Sequence, residues 1–398
     1  MEIRKPSFMD KQKITHIAVA VTNDLATDQR VARTCQALAE AGYRVTLIGR
    51  CLPASPAMPD RPYATVRMRL LFKRSALFYA EYNVRLWLRL LFLHPDACFA
   101  NDTDTLLASA VAARWMRKPL LFDAHELFPE VPELERRPRV RGVWRWIERR
   151  CLPHVKVAYT VCQSVAEEYH RRYGIRMHVV RNLPAKSGQP SLSSASPVSA
   201  HADAHAHSLL YQGAVNVGRG IREAIDALEW LPDCRLTIAG DGDTKSSLEA
   251  YAATVPWKER VHFLGRVSPE ALRDLTSQAD LGLCLLEDMG LNYRYALPNR
   301  VGDFIHAGVP LMATRFPEME RVIQDYGTGA LVEPCPREKE GDDYRRYVRH
   351  LAEQIDQTLA FWQGMPKGER ASLFARAQDD LCWEKEKNNL LHPLDAIF

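Results

Sequence analysis

The sequence lacks several features that would assign it to a class at once. No uncharged apolar run reaches the roughly 18 residues of a membrane-spanning helix, and the polar, charged stretch from Met1 to Lys13 holds no apolar segment of a secretory signal. The chain is therefore expected to stay in the cytoplasm. It carries little net charge: 53 Lys and Arg against 49 Asp and Glu leave +4, and with no recognition module in view nucleic acid is not an expected partner. The nine cysteines stand singly without CxxC pairs, which excludes a zinc cluster or disulfide framework of the usual spacing. What is present is 398 residues, 46% hydrophobic and 26% charged, enough for two domains with substantial cores.

Apolar runs at 14–21, 45–48, 97–100, 120–122, 157–161 and 177–180 alternate with helical patterns. The clearest helix is 27–41, where Val31, Thr34, Cys35 and Leu38 share a face and Gly42 stands at the position of a left-handed cap. Such alternation implies a parallel sheet covered on both faces. Between 187 and 208 the chain turns to Ser, Ala, Pro and His, a composition expected to act as a linker. His201, His205 and His207 have a loosely metal-like spacing there, but no metal site is assigned. Strands at 209–212, 235–239, 261–264, 281–286 and 309–313 then alternate with helices at 219–231, 244–253, 269–277 and 298–307. The expected fold class is α/β, with two Rossmann-like, doubly wound parallel-sheet domains facing a cleft. They occupy 1–186 and 209–375, joined by the linker 187–208, and a tail at 376–398 is expected to pack back on the first domain.

Two segments carry the chemistry of the second domain. From Tyr211 to Gly220 a strand runs into a glycine-bearing loop that opens a helix, with Arg219 at its end. Glycines let backbone approach a diphosphate, helix-end amides face it, and Arg adds a bidentate cation. The second segment runs from Leu285 to Pro310. Glu287 follows an apolar strand, Asn292, Tyr293 and Tyr295 fill a loop, and Asn299, Arg300 and Asp303 are expected on one face of the next helix. Helix capping accounts for Asp303 but not for the whole set.

These segments resemble the family 4 retaining glycosyltransferases of the GT-B fold, of the bacterial surface-polysaccharide type. Thr22 to Arg30, Asn101 to Thr105 and Asp123 to Glu130 carry the resemblance in the first domain. It implies that 209–375 binds a nucleotide sugar and 1–186 faces the acceptor. The implied catalytic residues are His125, Glu287 and Arg219. Glu287 would contact the donor sugar, the Met289, Gly290 and Leu291 amides its hydroxyls, and Asp303 the ribose. The donor set further includes Gly213, Asn216, Gly240, Arg266, Asn299 and Arg300, with Arg300 a candidate second cation for the diphosphate. Asp24, Asp28, Arg30 and Glu126 are placed on the acceptor side; Glu130 and Glu133 share the loop with Glu126, and a solvated acidic loop is an equal reading. The spacing from Glu287 to Asp303 is longer than the family's usual seven intervening residues, and Asp303 is one methylene shorter than the usual Glu. The DxD string Asp102-Thr103-Asp104 is read as helix capping, not as a metal site.

Basic and aromatic residues mix at 71–93 and 136–150, a pattern read as a peripheral contact with anionic lipid, with two partly buried helices as the alternative. The resulting expectation is a cytoplasmic, membrane-peripheral, metal-independent hexosyltransferase without a cofactor. It would use a nucleoside diphosphate sugar and a glycan or lipid-linked glycan acceptor. The alternatives are a nucleotide-sugar epimerase of the same fold and an inactive glycan-binding scaffold.

Overall fold

A computed structural model of the chain describes residues 15–186 and 207–398, apart from Ala54, Arg74, Arg136 and the side chain of Glu133. The expected linker thus lies almost wholly outside the described residues, as do His201 and His205. In the first domain the strands are β1 (His16–Asp24), β2 (Arg44–Arg50), β3 (Ala64–Met68), β4 (Ala97–Asn101), β5 (Leu120–Ala124), β6 (Val155–Thr160) and β7 (His178–Val179). Its helices are α1 (Gln29–Glu40), α2 (Ser75–Leu93), α3 (Thr103–Met116), α4 (Pro138–Cys151) and α5 (Gln163–Tyr173). The second domain has strands β8 (His207–Gln212), β9 (Cys234–Ala239), β10 (Val261–Gly265), β11 (Leu281–Cys284), β12 (Leu311–Thr314) and β13 (Gly329–Val332). Its helices are α6 (Ile221–Ala227), α7 (Lys245–Ala252), α8 (Pro269–Ser277), α9 (Leu291–Arg294), α10 (Asn299–Ala307), α11 (Pro317–Tyr326), α12 (Gly341–Gly364), α13 (Lys367–Asp380) and α14 (Trp383–Leu391).

Both sheets are parallel, ordered β3-β2-β1-β4-β5-β6-β7 and β10-β9-β8-β11-β12-β13. The order reverses between β1 and β4 and between β8 and β11, and crevices open beyond the strand ends at such switch points. The continuous apolar runs follow from burial on both faces. Along β1, Ala18 and Ala20 belong to one core while Ile17 and Val19 belong to the other, the period of two that a pleated strand imposes. Seven of the nine cysteines are buried and all are free thiols.

The chain end crosses between domains. Leu390 and Leu394 are buried in the same core as Ile17, Phe99 and Tyr159, Tyr159 donates to the Leu390 carbonyl at 2.8 Å, and Glu386 binds Arg181. α14 therefore ties the second domain to the back of the first sheet. Asp28 caps α1 by accepting the Val31 N–H at 3.0 Å, which stabilises such a helix start by about 1 kcal/mol.

Candidate active site

The strand ends of both sheets meet at a cleft of about 790 Å³. The carboxyl ends of β1 and β2, the start of α1 and the loop after β5 supply Asp24, Arg50, Asp28, Arg30, His125 and Glu126; the second domain supplies Arg219, Asn292, Asn299 and Asp303. All the residues expected on the acceptor side line it, as do His125 and Arg219.

On the first-domain wall the charges form a chain. Arg30 grips Asp123 with one guanidinium nitrogen at 2.9 and 3.0 Å. Asp123 accepts from His125 Nε2 at 3.1 Å, and Asp102 lies 3.3 Å from Nδ1. Burial works against a charged imidazole, but the two carboxylates outweigh it and raise the His125 pKa to about 9. His125 is therefore a cation at neutral pH. Asp102 corrects the capping expectation. Its side chain makes no helix cap; it accepts the His125 backbone N–H at 2.8 Å instead. Its backbone stands at φ 59°, ψ 167°, a region almost reserved for glycine and costing about 1–3 kcal/mol. Asp104 is not a cap either: its carboxyl accepts from Thr22 Oγ at 2.6 Å, and burial with Asp102 nearby raises its pKa to about 8.

On the opposite wall, Asp303 accepts from Gln212 Nε2 at 3.0 Å. Gln212 is itself fixed by Thr276, which donates to its Oε1 at 2.8 Å. Burial lifts the Asp303 carboxyl above its ordinary range, while Gln212 and Arg33 oppose the lift. Gln212 and Arg33 were not anticipated from sequence. Arg33 follows Arg30 by three residues on α1, the one local signal that both would face the same way. It also donates to the Leu183 carbonyl at 2.7 Å. Asn292 joins the walls by donating to Glu126 at 3.1 Å and accepting the Leu127 N–H at 3.0 Å.

Several expected donor residues stand off this cleft. Arg300 does not share the Asn299–Asp303 face: it is buried at 6% exposure, lies 4.5 Å from the Tyr211 ring centroid and leaves Nη1 without a partner. A cation–π contact to Tyr211 turns it inward, so that it backs the Gly213 backbone, where a Cβ would meet Nη2 at 3.5 Å. Glu287 points to Lys339 at 2.7 Å, and Lys339 holds Glu223 at the same distance. Burial and Glu223 raise the Glu287 carboxyl against the pull of Lys339. Glu287 also ties down the glycine loop, donating its backbone N–H to the Gly218 carbonyl at 3.0 Å and accepting the Gly220 N–H on its carboxyl.

The Met289 N–H already donates to the Glu287 carbonyl at 2.9 Å, while Gly290 and Leu291 head the single turn of α9. Asn216 accepts the Asp243 N–H, and Arg266 is exposed and pairs with Asp241. Gly240 must be glycine, because its φ is 157° and a Cβ would meet the Gly213 carbonyl at 1.8 Å. Without a side chain there the two loops approach closely, and the Gly213 N–H donates to the Ala239 carbonyl at 2.9 Å. Arg219 lines the cleft, with its guanidinium 4.8 Å from the Tyr293 ring centroid and its Nε unpartnered. Among the described residues no group of three or more His, Cys, Asp or Glu side chains is arranged to hold a metal ion.

Two Rossmann-like domains with strand ends facing one cleft define the GT-B architecture. Residues 28–183 match the family described as Glycosyltransferase Family 4, and residues 206–353 match Glycosyl transferases group 1. Each domain of the chain thus matches a glycosyltransferase family, the first domain family 4 and the second group 1. No curated protein matches its sequence. Among solved structures, sucrose-phosphate synthase from Thermosynechococcus elongatus is similar over 96% of this chain and 100% of its own, at 17% identity and a TM-score of 0.72. HepE from Anabaena in complex with UDP-glucose matches over 96% and 99% at 14% identity, TM-score 0.67. WaaG, a glycosyltransferase involved in lipopolysaccharide biosynthesis, matches over 94% and 99% at 16% identity, TM-score 0.65.

Proposed function

We propose that the protein transfers a sugar from a nucleoside diphosphate sugar to a glycan or lipid-linked glycan acceptor, with retained configuration, in bacterial surface-polysaccharide or lipopolysaccharide synthesis. The observation that carries this reading is the position of Asp303. It is a half-buried carboxylate fixed by Gln212 at the lip of the cleft, with Arg219 on its own side and His125 across from it. Asp303 would accept the ribose hydroxyls. Arg219, backed by Arg300 beneath the glycine loop, would stabilise the charge growing on the diphosphate. The His125 cation would sit against the donor sugar and add to that stabilisation. The departing phosphate oxygen takes the acceptor proton on the same face, so no enzymatic base is required. HepE, which is similar in fold, was solved in complex with UDP-glucose, which supports a nucleotide-sugar donor here.

Peripheral membrane attachment belongs to the same reading. No helix among the described residues is long and apolar enough to cross a membrane. α2, α3 and α4 pack side by side and leave Leu88, Phe92, Trp115, Val143 and Trp146 exposed, an apolar surface of the kind that settles at a lipid interface.

A thermal-shift screen of nucleoside diphosphates and their sugar conjugates tests the donor, since ligand at about 100 times its dissociation constant adds roughly 2.7 kcal/mol. Anomeric NMR of the product then tests retention. Absence of any nucleotide-dependent shift would sink the reading, and epimerised donor formed without an acceptor would replace it with the epimerase.

A further inference from the structure

A second cavity, of about 570 Å³, opens in the first domain beside the cleft and shares Arg50 and Leu52 with it as a common wall. Its size is that of a small-molecule site, roughly 300–1,000 Å³. Among the described residues four cations line it, namely Arg50, Arg67, Arg69 and Lys73, together with the apolar side chains of Leu70, Phe72 and Phe78, and no carboxylate is in its wall. Two carboxylates border it, and both are already engaged: Asp24, on the cleft side, is held by Ser55 and Arg67, and Glu81 accepts the Leu71 and Phe72 N–H groups and pairs with Arg85. Arg50 stands over the Phe78 ring at 5.2 Å, and the Nε atoms of Arg50 and Arg67 are buried without hydrogen-bond partners. Unpaired guanidinium donors in a partly desolvated wall are costly unless an oxyanion satisfies them. Four cations also exceed what a single carboxylate on a ligand would neutralise.

Resting on the transferase reading above, we propose that this cavity receives a phosphate or diphosphate carried by the acceptor. Arginine forks bind such groups bidentately. The shared wall at Arg50 and Leu52 then sets the length of the acceptor: the anion sits in the side cavity while the attached sugar reaches past Asp24 into the cleft to meet the donor. Two sources carry this chemistry, an isoprenoid diphosphate that bears the saccharide and a phosphorylated glycan. The apolar wall formed by Leu70, Phe72 and Phe78 discriminates between them.

The test uses the full chain and calorimetric titration with inorganic pyrophosphate, geranyl diphosphate, glucose 6-phosphate and glucuronate. Arg69 and Lys73 line this cavity and not the cleft, and both are exposed, so Arg69→Gln with Lys73→Gln leaves the fold intact. The double variant should bind pyrophosphate at least about tenfold more weakly at this site, while a nucleoside diphosphate binds as in the parent. Arg219→Ala should do the reverse. Geranyl diphosphate binding more tightly than pyrophosphate supports the isoprenoid source; glucose 6-phosphate binding with no gain from the geranyl chain supports the phosphorylated glycan. Pyrophosphate affinity unchanged in the double variant, or glucuronate bound as tightly as pyrophosphate, would overturn the proposal and leave the donor cleft untouched. Loss of nucleotide binding in the parent would instead remove the transferase reading on which it rests.

Discussion

Asp102 holds His125 at two points, accepting its backbone N–H at 2.8 Å and lying 3.3 Å from its Nδ1. The second carboxylate, Asp123, takes Nε2, so the imidazole is fixed in orientation and kept charged. The pKa of about 9 gives the sign of a pH effect. Activity that depends on the cation should hold through neutral pH and fall as pH rises through about 9. Asp102→Asn removes one carboxylate, so the alkaline limb should move down by about one unit or more. A pH–rate profile of the variant identical to that of the parent would deny Asp102 this positioning role.

The same shifts govern stability. A histidine whose folded pKa exceeds 6.5 contributes stability that is complete below 6.5 and lost as pH rises through about 9. Asp104, raised to about 8, acts in the same direction, because the folded protein keeps a proton that the unfolded chain releases above about 4. Denaturant midpoints should therefore decline between pH 6 and 9. Asp104→Asn, which keeps the size and removes the titration, should flatten part of that decline.

The membrane surface is testable by separating its apolar and basic parts. Arg141 and Arg145 pair with Glu130, and Trp144 is buried against Tyr79 and Phe128, so these are structural. Trp115 and Trp146 are 75% and 54% exposed. Changing both to Ser should weaken sedimentation with phosphatidylglycerol vesicles by about tenfold or more. Arg149→Gln with Arg150→Gln should weaken it at low salt and have little effect at high salt. Equal sedimentation of the tryptophan variant and the parent would remove this face from the membrane reading.

Much of the fold was legible because both sheets are buried on two faces and their strands read as unbroken apolar runs. The strand Ala64–Met68 escaped because it lies at a sheet edge with a half-exposed, mixed sequence, where local pattern is weakest. The strand His207–Gln212 begins inside the expected linker for a similar reason: its first two residues are only partly buried. At the site, spacing identified Asp303 as a charge at a helix start but put Arg300 on the same face. The Tyr211 ring that draws Arg300 inward is 89 positions earlier in the chain, and no local rule reaches that far. Asp102 was misread because strand-end Asp usually caps, whereas a tertiary partner, His125, took the carboxylate. Arg33, Gln212 and the insertion of Leu390 into the first core depend likewise on contacts between distant segments.

A buried contact between domains gives a further prediction. Glu318 of α11 accepts both the N–H and the hydroxyl of Ser164, at 2.8 and 2.6 Å, at the start of α5. Both residues are buried. Glu318→Gln keeps the size and weakens two charge-assisted bonds, so it should lower stability by about 1.5–3 kcal/mol. It should also enlarge the radius of gyration measured by small-angle scattering as the domains part. A variant as stable and as compact as the parent would show that Ser164 and Glu318 do not set closure.

The last prediction separates nucleoside recognition from phosphate chemistry. If Asp303 accepts hydrogen bonds from the donor ribose, Asp303→Asn keeps the contact with Gln212 within reach but loses the charge. Affinity for nucleoside and nucleotide alike should then fall by about 1.5–3 kcal/mol. Arg219 lines the same cleft from the glycine loop, so Arg219→Ala should spare the nucleoside. It should reduce diphosphate affinity and, more strongly, turnover, because the leaving diphosphate gains charge as the glycosidic bond breaks and the lost interaction is strongest in the transition state. Arg300→Met gives the control: burial at 6% exposure means a long apolar side chain can fill its place, so any loss of diphosphate affinity beyond the change in stability reports its charge acting through Gly213. Calorimetry with nucleoside, nucleoside diphosphate and nucleotide sugar on the three variants resolves these effects. An Asp303→Asn protein that binds nucleoside diphosphate as tightly as the parent would reduce Asp303 to a helix-start residue, and the donor assignment of the loop from Glu287 to Asp303 would fall with it.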